Sequence, residues 1–67
     1  MTIYINNEAK DIEDDTSIQH LFSAVQITSD KGIAVAINEV VIPRSEWHHK
    51  LIKNNDKVLI INATQGG

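Results

Sequence analysis

The chain contains no cysteine. Disulfides, zinc–thiolate centres and iron–sulfur ligation are therefore excluded. Glycine is scarce, with three residues in the whole chain, and none sits in a phosphate-binding loop. No nucleophile and base stand at a recognisable catalytic spacing. Basic residues are outnumbered, six Lys and Arg against nine Asp and Glu, for a formal net charge of −3. The six (Lys10, Lys31, Arg44, Lys50, Lys53, Lys57) are scattered, which argues against a nucleic-acid partner, since a phosphate backbone demands clustered cations. A basic surface on a protein partner fits this charge better. The longest unbroken apolar run is Ile33 to Ile37, far short of a membrane span. The first eight residues, Met1 to Glu8, carry no basic start and no long apolar stretch, so they do not read as a signal peptide. The expectation is a soluble, cytoplasmic protein with no membrane partner.

Sixty-seven residues make one small domain. A chain of this size buries only about 60% of the surface it exposes when unfolded. No roofed active-site cavity is expected, and a complete enzyme is not expected either. Composition is that of a globular protein, with 42% hydrophobic and 22% charged residues. No repeat or low-complexity tract interrupts it.

Residues 2–12 read as a β-hairpin. Ile3 and Ile5 alternate with Thr2, Tyr4 and Asn6, the period of a half-buried strand. Asn6-Asn7 supplies a tight turn, because Asn tolerates positive φ. The polar return, Glu8 to Ile12, is expected at a sheet edge, where Lys10 and Asp11 discourage further pairing. Residues 16–25 read as a helix, with Ile18, Leu21, Phe22 and Val25 on one stripe. Thr16 is the expected N-cap, with Gln19 completing a capping box. Asp11, Glu13, Asp14 and Asp15 lack the glycine and the distal glutamate of a calcium loop. The last three are expected to meet the positive end of the helix dipole.

Residues 33–42 read as a second hairpin. Ile33-Ala34-Val35-Ala36-Ile37 is expected to be covered on both faces, Asn38-Glu39 forms the turn, and Val40-Val41-Ile42 returns. Pro43 ends the pairing. Residues 45–52 suggest a short helix or turn capped by Ser45, with Trp47, Leu51 and Ile52 inward. Asn54-Asn55-Asp56 is a turn cluster. The last strand, Lys57 to Ala63, is apolar on both faces. One helix against a small sheet satisfies these stripes, with the first and last strands pairing centrally.

If Val58 and Ile60 face the helix, then Leu59, Ile61 and Ala63 face the open side of the sheet. Either they form an interface patch, or the Trp47 segment folds over them. The strand runs into Thr64-Gln65-Gly66-Gly67. Four extended residues reach roughly 13 Å, enough to thread a narrow channel in another protein. Glycine lets such a channel close around the backbone. A carboxylate at its tip reacts only once activated by a leaving group such as AMP. The absence of thiols keeps an activated acyl group from being captured internally. The alternative is a frayed end of no consequence. His20 and His48-His49 read as solvated side chains rather than metal ligands, and Trp47 as core.

These residues converge on a resemblance. Val35-Ala36-Ile37-Asn38, then Ile42-Pro43-Arg44-Ser45-Glu46-Trp47, then Asp56-Lys57-Val58-Leu59-Ile60-Ile61 and the closing Gly66-Gly67 are similar to the ThiS family, the sulfur carriers of thiamine biosynthesis. The likeness spans essentially the whole chain. It departs at Asn55, where family members often have glycine, and at Thr64-Gln65, where they favour small or apolar residues. Asn55 is the usual substitute where positive φ is required.

The resemblance implies an α+β, ubiquitin-like β-grasp fold: a mixed five-stranded sheet on one main helix, plus a short helix. It implies a β-grasp domain over residues 1–63 and a flexible tail over 64–67. It also implies that the Gly67 carboxylate is the reacting group and that Gly66 gives the tail its flexibility. Leu59, Ile61, Ala63, Thr64 and Gln65 would meet partners. Those partners would be a ThiF-type adenylyltransferase using ATP and magnesium, a cysteine desulfurase as persulfide donor, and a ThiG-type thiazole synthase. The chain itself would bind no cofactor or metal and would be a monomer when alone. A molybdopterin synthase small subunit and a ubiquitin-like protein modifier share the fold and tail chemistry and stand as alternatives. A plain interaction domain with an irrelevant tail is a third.

Overall fold

The computed structural model describes residues 1–27 and 31–62. In chain order the elements are β1 (Thr2–Ile5), β2 (Glu8–Asp11), α1 (Ile18–Ala24), β3 (Ile33–Ile37), β4 (Val40–Val41), a 3-10 turn (Arg44–Glu46) and β5 (Lys57–Asn62). The five strands form one sheet in the order β2-β1-β5-β3-β4. β1 and β5 run parallel, with Tyr4 opposite Lys57 and Ile5 opposite Val58. The other pairings are antiparallel. The two hairpins thus flank the last strand, and β1 and β5 pair as the sequence suggests.

Both hairpins close through two residues of positive φ, the requirement of a tight turn that matches strand twist. Asn6 and Asn7 have φ of 50° and 73°; Asn38 and Glu39 have 51° and 71°. Asn55 also takes positive φ, at 70°, as its place in the turn requires. Two asparagines do more than turn. The Asn6 Oδ1 accepts the Ile60 N–H at 2.9 Å while its Nδ2 donates to the Ile60 carbonyl at 3.3 Å. Its side-chain amide therefore extends the β1 ladder beyond the turn. At the start of β5, the Asn38 Oδ1 accepts the Lys57 N–H at 3.0 Å.

The core lies between the sheet and α1. Ile3, Ile18, Leu21, Phe22, Val35, Ile37, Trp47, Ile52 and Val58 are buried there. Trp47 meets Phe22 edge-on, with ring centroids 5.1 Å apart at 78°. Its Nε1 donates to the Ile42 carbonyl at 2.9 Å, so a buried indole keeps its hydrogen bond. The Trp47 segment therefore covers the helix side of the sheet and leaves the other side open.

Several expectations change. The helix is capped by Ser17, whose Oγ accepts the His20 N–H at 3.1 Å; the Thr16 hydroxyl instead donates to the Glu13 carbonyl. No acidic residue lies in the first helical turn. Glu13, Asp14 and Asp15 precede the helix as expected, and main chain takes two N–H groups at that end: Ile18 N–H donates to the Lys50 carbonyl and Gln19 N–H to the Trp47 carbonyl, at 3.1 and 3.0 Å. Asp14 pairs with the Met1 ammonium at 3.4 Å. Ser45 lies inside the 3-10 turn rather than capping it, since Pro43 precedes that turn with no side-chain cap. Leu51 points outward, because its main chain bridges to Ser17 and strand-like alternation then sends Ile52 inward. β3 is covered on one face only: Val35 and Ile37 are buried, whereas Ala34 is exposed.

The helix ends without glycine. Gln26, at φ 63°, takes the left-handed position. Its N–H donates to Ser23 at 3.3 Å and that of Ile27 donates to Phe22 at 2.8 Å. This pair of bonds is a Schellman closure, with Ile27 packed back on the core.

Candidate functional site

The alternation of β5 decides what its two faces do. Val58 is 2% exposed, while Leu59 and Ile61 on the opposite face are 46% and 48% exposed. Register extends this face across the sheet. Leu59 is opposite Ala36, Ile61 opposite Ala34, and Ala36 opposite Val41. Tyr4 stands on the same face of β1, opposite Lys57. Tyr4, Leu59, Ile61 and Val41, with Ala34 and Ala36 between them, thus form an apolar face spanning four strands. Contiguous apolar surface of this kind marks an interaction site.

Within it a shallow depression of about 360 Å³ is lined by Tyr4, Asn6, Ala36, Lys57 and Leu59. It has no roof, so it suits a docking surface rather than a reaction chamber. Leu59 and Ile61 were legible from alternation alone. Tyr4, Ala34, Ala36 and Val41 were not singled out, although Tyr4 carries the same signal between Ile3 and Ile5. Val41 needed the β3–β4 register. Ala63, Thr64, Gln65, Gly66 and Gly67 lie outside the described residues.

Other chemistry is sparse. Among the described residues, no three His, Asp or Glu stand together in a way that would hold a metal ion. His48 and His49 touch, with ring nitrogens 3.2 Å apart, and both are exposed. His20 is exposed on α1. Among the described residues no buried side-chain polar atom lacks a partner, so no orphaned group awaits a ligand.

A mixed five-stranded sheet with its last strand at the centre and one helix across it is the ubiquitin-like β-grasp fold. A solved structure, the thiamine biosynthesis protein ThiS from Geobacter metallireducens, superposes with a TM-score of 0.83 over 91% of each chain, at 19% identity. Residues 3–67 match the family model described as the ThiS family. The chain belongs to the ThiS family. It is 25% identical to the sulfur carrier protein ThiS of Escherichia coli (strain K12), over the full length of both. It is 33% identical over 67 residues to the uncharacterized protein ycf40 of Porphyra purpurea, covering all of this chain and 93% of that one. The ycf40 protein of Pyropia yezoensis is 27% identical, with the same coverage.

Proposed function

We propose that this chain is a sulfur carrier of thiamine biosynthesis, with the Gly67 carboxylate as the group that carries the sulfur. The observation that carries this reading is the full-length match to the Escherichia coli sulfur carrier protein ThiS. The open apolar face supports it, since that face lies on the strand that leads directly to residues 63–67.

A carboxylate is a poor electrophile. Attack on ATP by the Gly67 carboxylate forms an acyl-adenylate and releases pyrophosphate, with magnesium and the catalytic groups supplied by a ThiF-type adenylyltransferase. The terminal sulfur of a persulfide, loaded by a cysteine desulfurase, then attacks the acyl carbon and AMP leaves. A thiol cleaves the resulting acyl disulfide and frees the thiocarboxylate. A ThiG-type thiazole synthase takes the sulfur into the thiazole ring. In this scheme the chain is a co-substrate. Residues 1–63 form the body that partners grip, and residues 64–67 form the tail that enters their active sites. Leu59, Ile61, Ala63, Thr64 and Gln65 bind the partner, and the setting is cytoplasmic.

Intact-mass spectrometry of the protein isolated from its own cells tests this. The expected result is a population with one oxygen replaced by sulfur, localised to Gly67. A population found only as free carboxylate or as lysine conjugates would overturn it. Deletion of Gly67 should abolish sulfur loading and leave the circular dichroism spectrum and denaturation midpoint unchanged.

A further inference from the structure

The two outer strands of the sheet differ in how they treat a newcomer. β2 is exposed throughout and carries Glu8, Lys10 and Asp11, charges that discourage pairing. β4 carries only Val40 and Val41. The Ile42 N–H donates to the Val35 carbonyl at 2.9 Å. By the alternation of an antiparallel ladder, Val40 and Ile42 turn their main chain toward β3, and Val41 turns its N–H and carbonyl outward. The Val41 side chain is 71% exposed. β4 is thus a bare edge.

Beside it runs a groove of about 300 Å³, lined by Val40, Ile42 and Leu51, with Lys50 and Lys53 at its rim. Val40 and Leu51 are exposed apolar side chains. Asp56 also borders the groove, but its carboxylate is engaged. Oδ2 accepts the Lys53 N–H at 2.8 Å and Oδ1 accepts the Asn38 Nδ2 at 3.0 Å. Glu39, next to Val40 in sequence, lines the depression on the open face instead. Among the described residues, neither lysine ammonium has a carboxylate within ion-pair distance. In a chain of net charge −3, the groove sets two lysines against the single carboxylate of Asp56, a local excess of positive charge.

We infer that the β4 edge and its groove dock an extended acidic–apolar peptide segment of a partner protein. The segment adds a strand through the Val41 N–H and carbonyl, seats an apolar side chain between Val40 and Leu51, and sets carboxylates against Lys50 and Lys53. Main-chain pairing gives affinity in this mode, and alternate side chains give specificity. The register places the site away from the tail. β4 lies level with Val58 and Leu59, whereas residue 62 pairs with Ile33 at the other end of β5. Three residues of strand separate Val41 from that end by about 10 Å. A partner held at this edge leaves the tail free to react elsewhere, so the edge is a second handle beyond the open face.

The test is a titration of the full chain, isotopically labelled, with a capped hexapeptide Glu-Thr-Val-Thr-Glu-Thr, which puts a valine between two glutamates on one face, followed by amide NMR. The expected shifts centre on Val41, with Val40, Lys50, Leu51 and Lys53, and the Val41 amide gains exchange protection. The matching valine–lysine peptide should bind far more weakly. The double variant Lys50→Gln, Lys53→Gln should weaken the glutamate peptide about fivefold, two exposed ion pairs' worth. Val41→Pro, which removes the outward N–H and no bond to β3, should abolish strand addition. Equal binding of both peptides, shifts confined to Tyr4 and Leu59, or no shift at millimolar peptide would overturn the inference. So would concentration-dependent dimerisation through β4 in sedimentation, which would make a second copy the occupant.

Discussion

The two faces of β5 carry similar residues to opposite ends. Val58 and Ile60 face α1 and hold the molecule together, while Leu59 and Ile61 face solvent. Hydrophobicity alone does not separate them. Only the side of the pleat does, and that is set by pairing with β1 and β3. The inner face is sealed by Trp47 and Phe22. The outer face keeps apolar area in water, a cost that a protein retains where a partner will cover it.

The contrast can be broken from the inside first. Trp47→Ala should destabilise the chain by about 3–5 kcal/mol, since it opens a cavity and orphans the Ile42 carbonyl. Urea denaturation followed by circular dichroism measures this. Next comes the pair that tests the faces directly. Ile60→Asp should cost about 3 kcal/mol or more, because it places a charge against the core. Ile61→Asp should cost less than about 0.5 kcal/mol and instead weaken binding to the proposed activating enzyme. The reverse ranking in denaturation would mean that the strand register is off by one residue. The smallest effect sharpens the contrast from the helix. Gln26→Gly should raise stability by about 1 kcal/mol, by relieving a left-handed glutamine in the helix closure. Partner affinity should stay the same, because the outer face is untouched. A calorimetric melting point unchanged by this substitution would refute the strain.

The alternation in β1 and β5 and the apolar stripe Ile18, Leu21, Phe22 were readable because each has a period that one structure alone satisfies. So were the asparagine turns, where side-chain chemistry matches an uncommon φ. What sequence did not reveal was decided by neighbours distant in the chain. Ser17 and Thr16 are equally good caps on paper. The approach of Trp47 and Lys50 to the helix start settles which end-groups need help. Leu51 and Ile52 are adjacent and both apolar, and only the bridge to Ser17 chooses between them. β3 read as doubly covered because alanine fits either setting. The breadth of the open face required the register of β3 against both neighbours.

The position of β5 has a consequence for how the protein is made. It is the last strand in the described chain, yet it stands at the middle of the sheet. The β1–β2 and β3–β4 hairpins do not pair with each other, and each rests against β5 alone. During synthesis, which runs from the amino end, neither hairpin has its partner until β5 has left the ribosome. The sheet then closes through contacts between residues far apart in sequence, the slow kind. A chain cut short before β5 lacks the strand that joins its two hairpins and the Leu59 and Ile61 part of the outer face. Any molecule that displays the complete outer face has therefore been translated through β5.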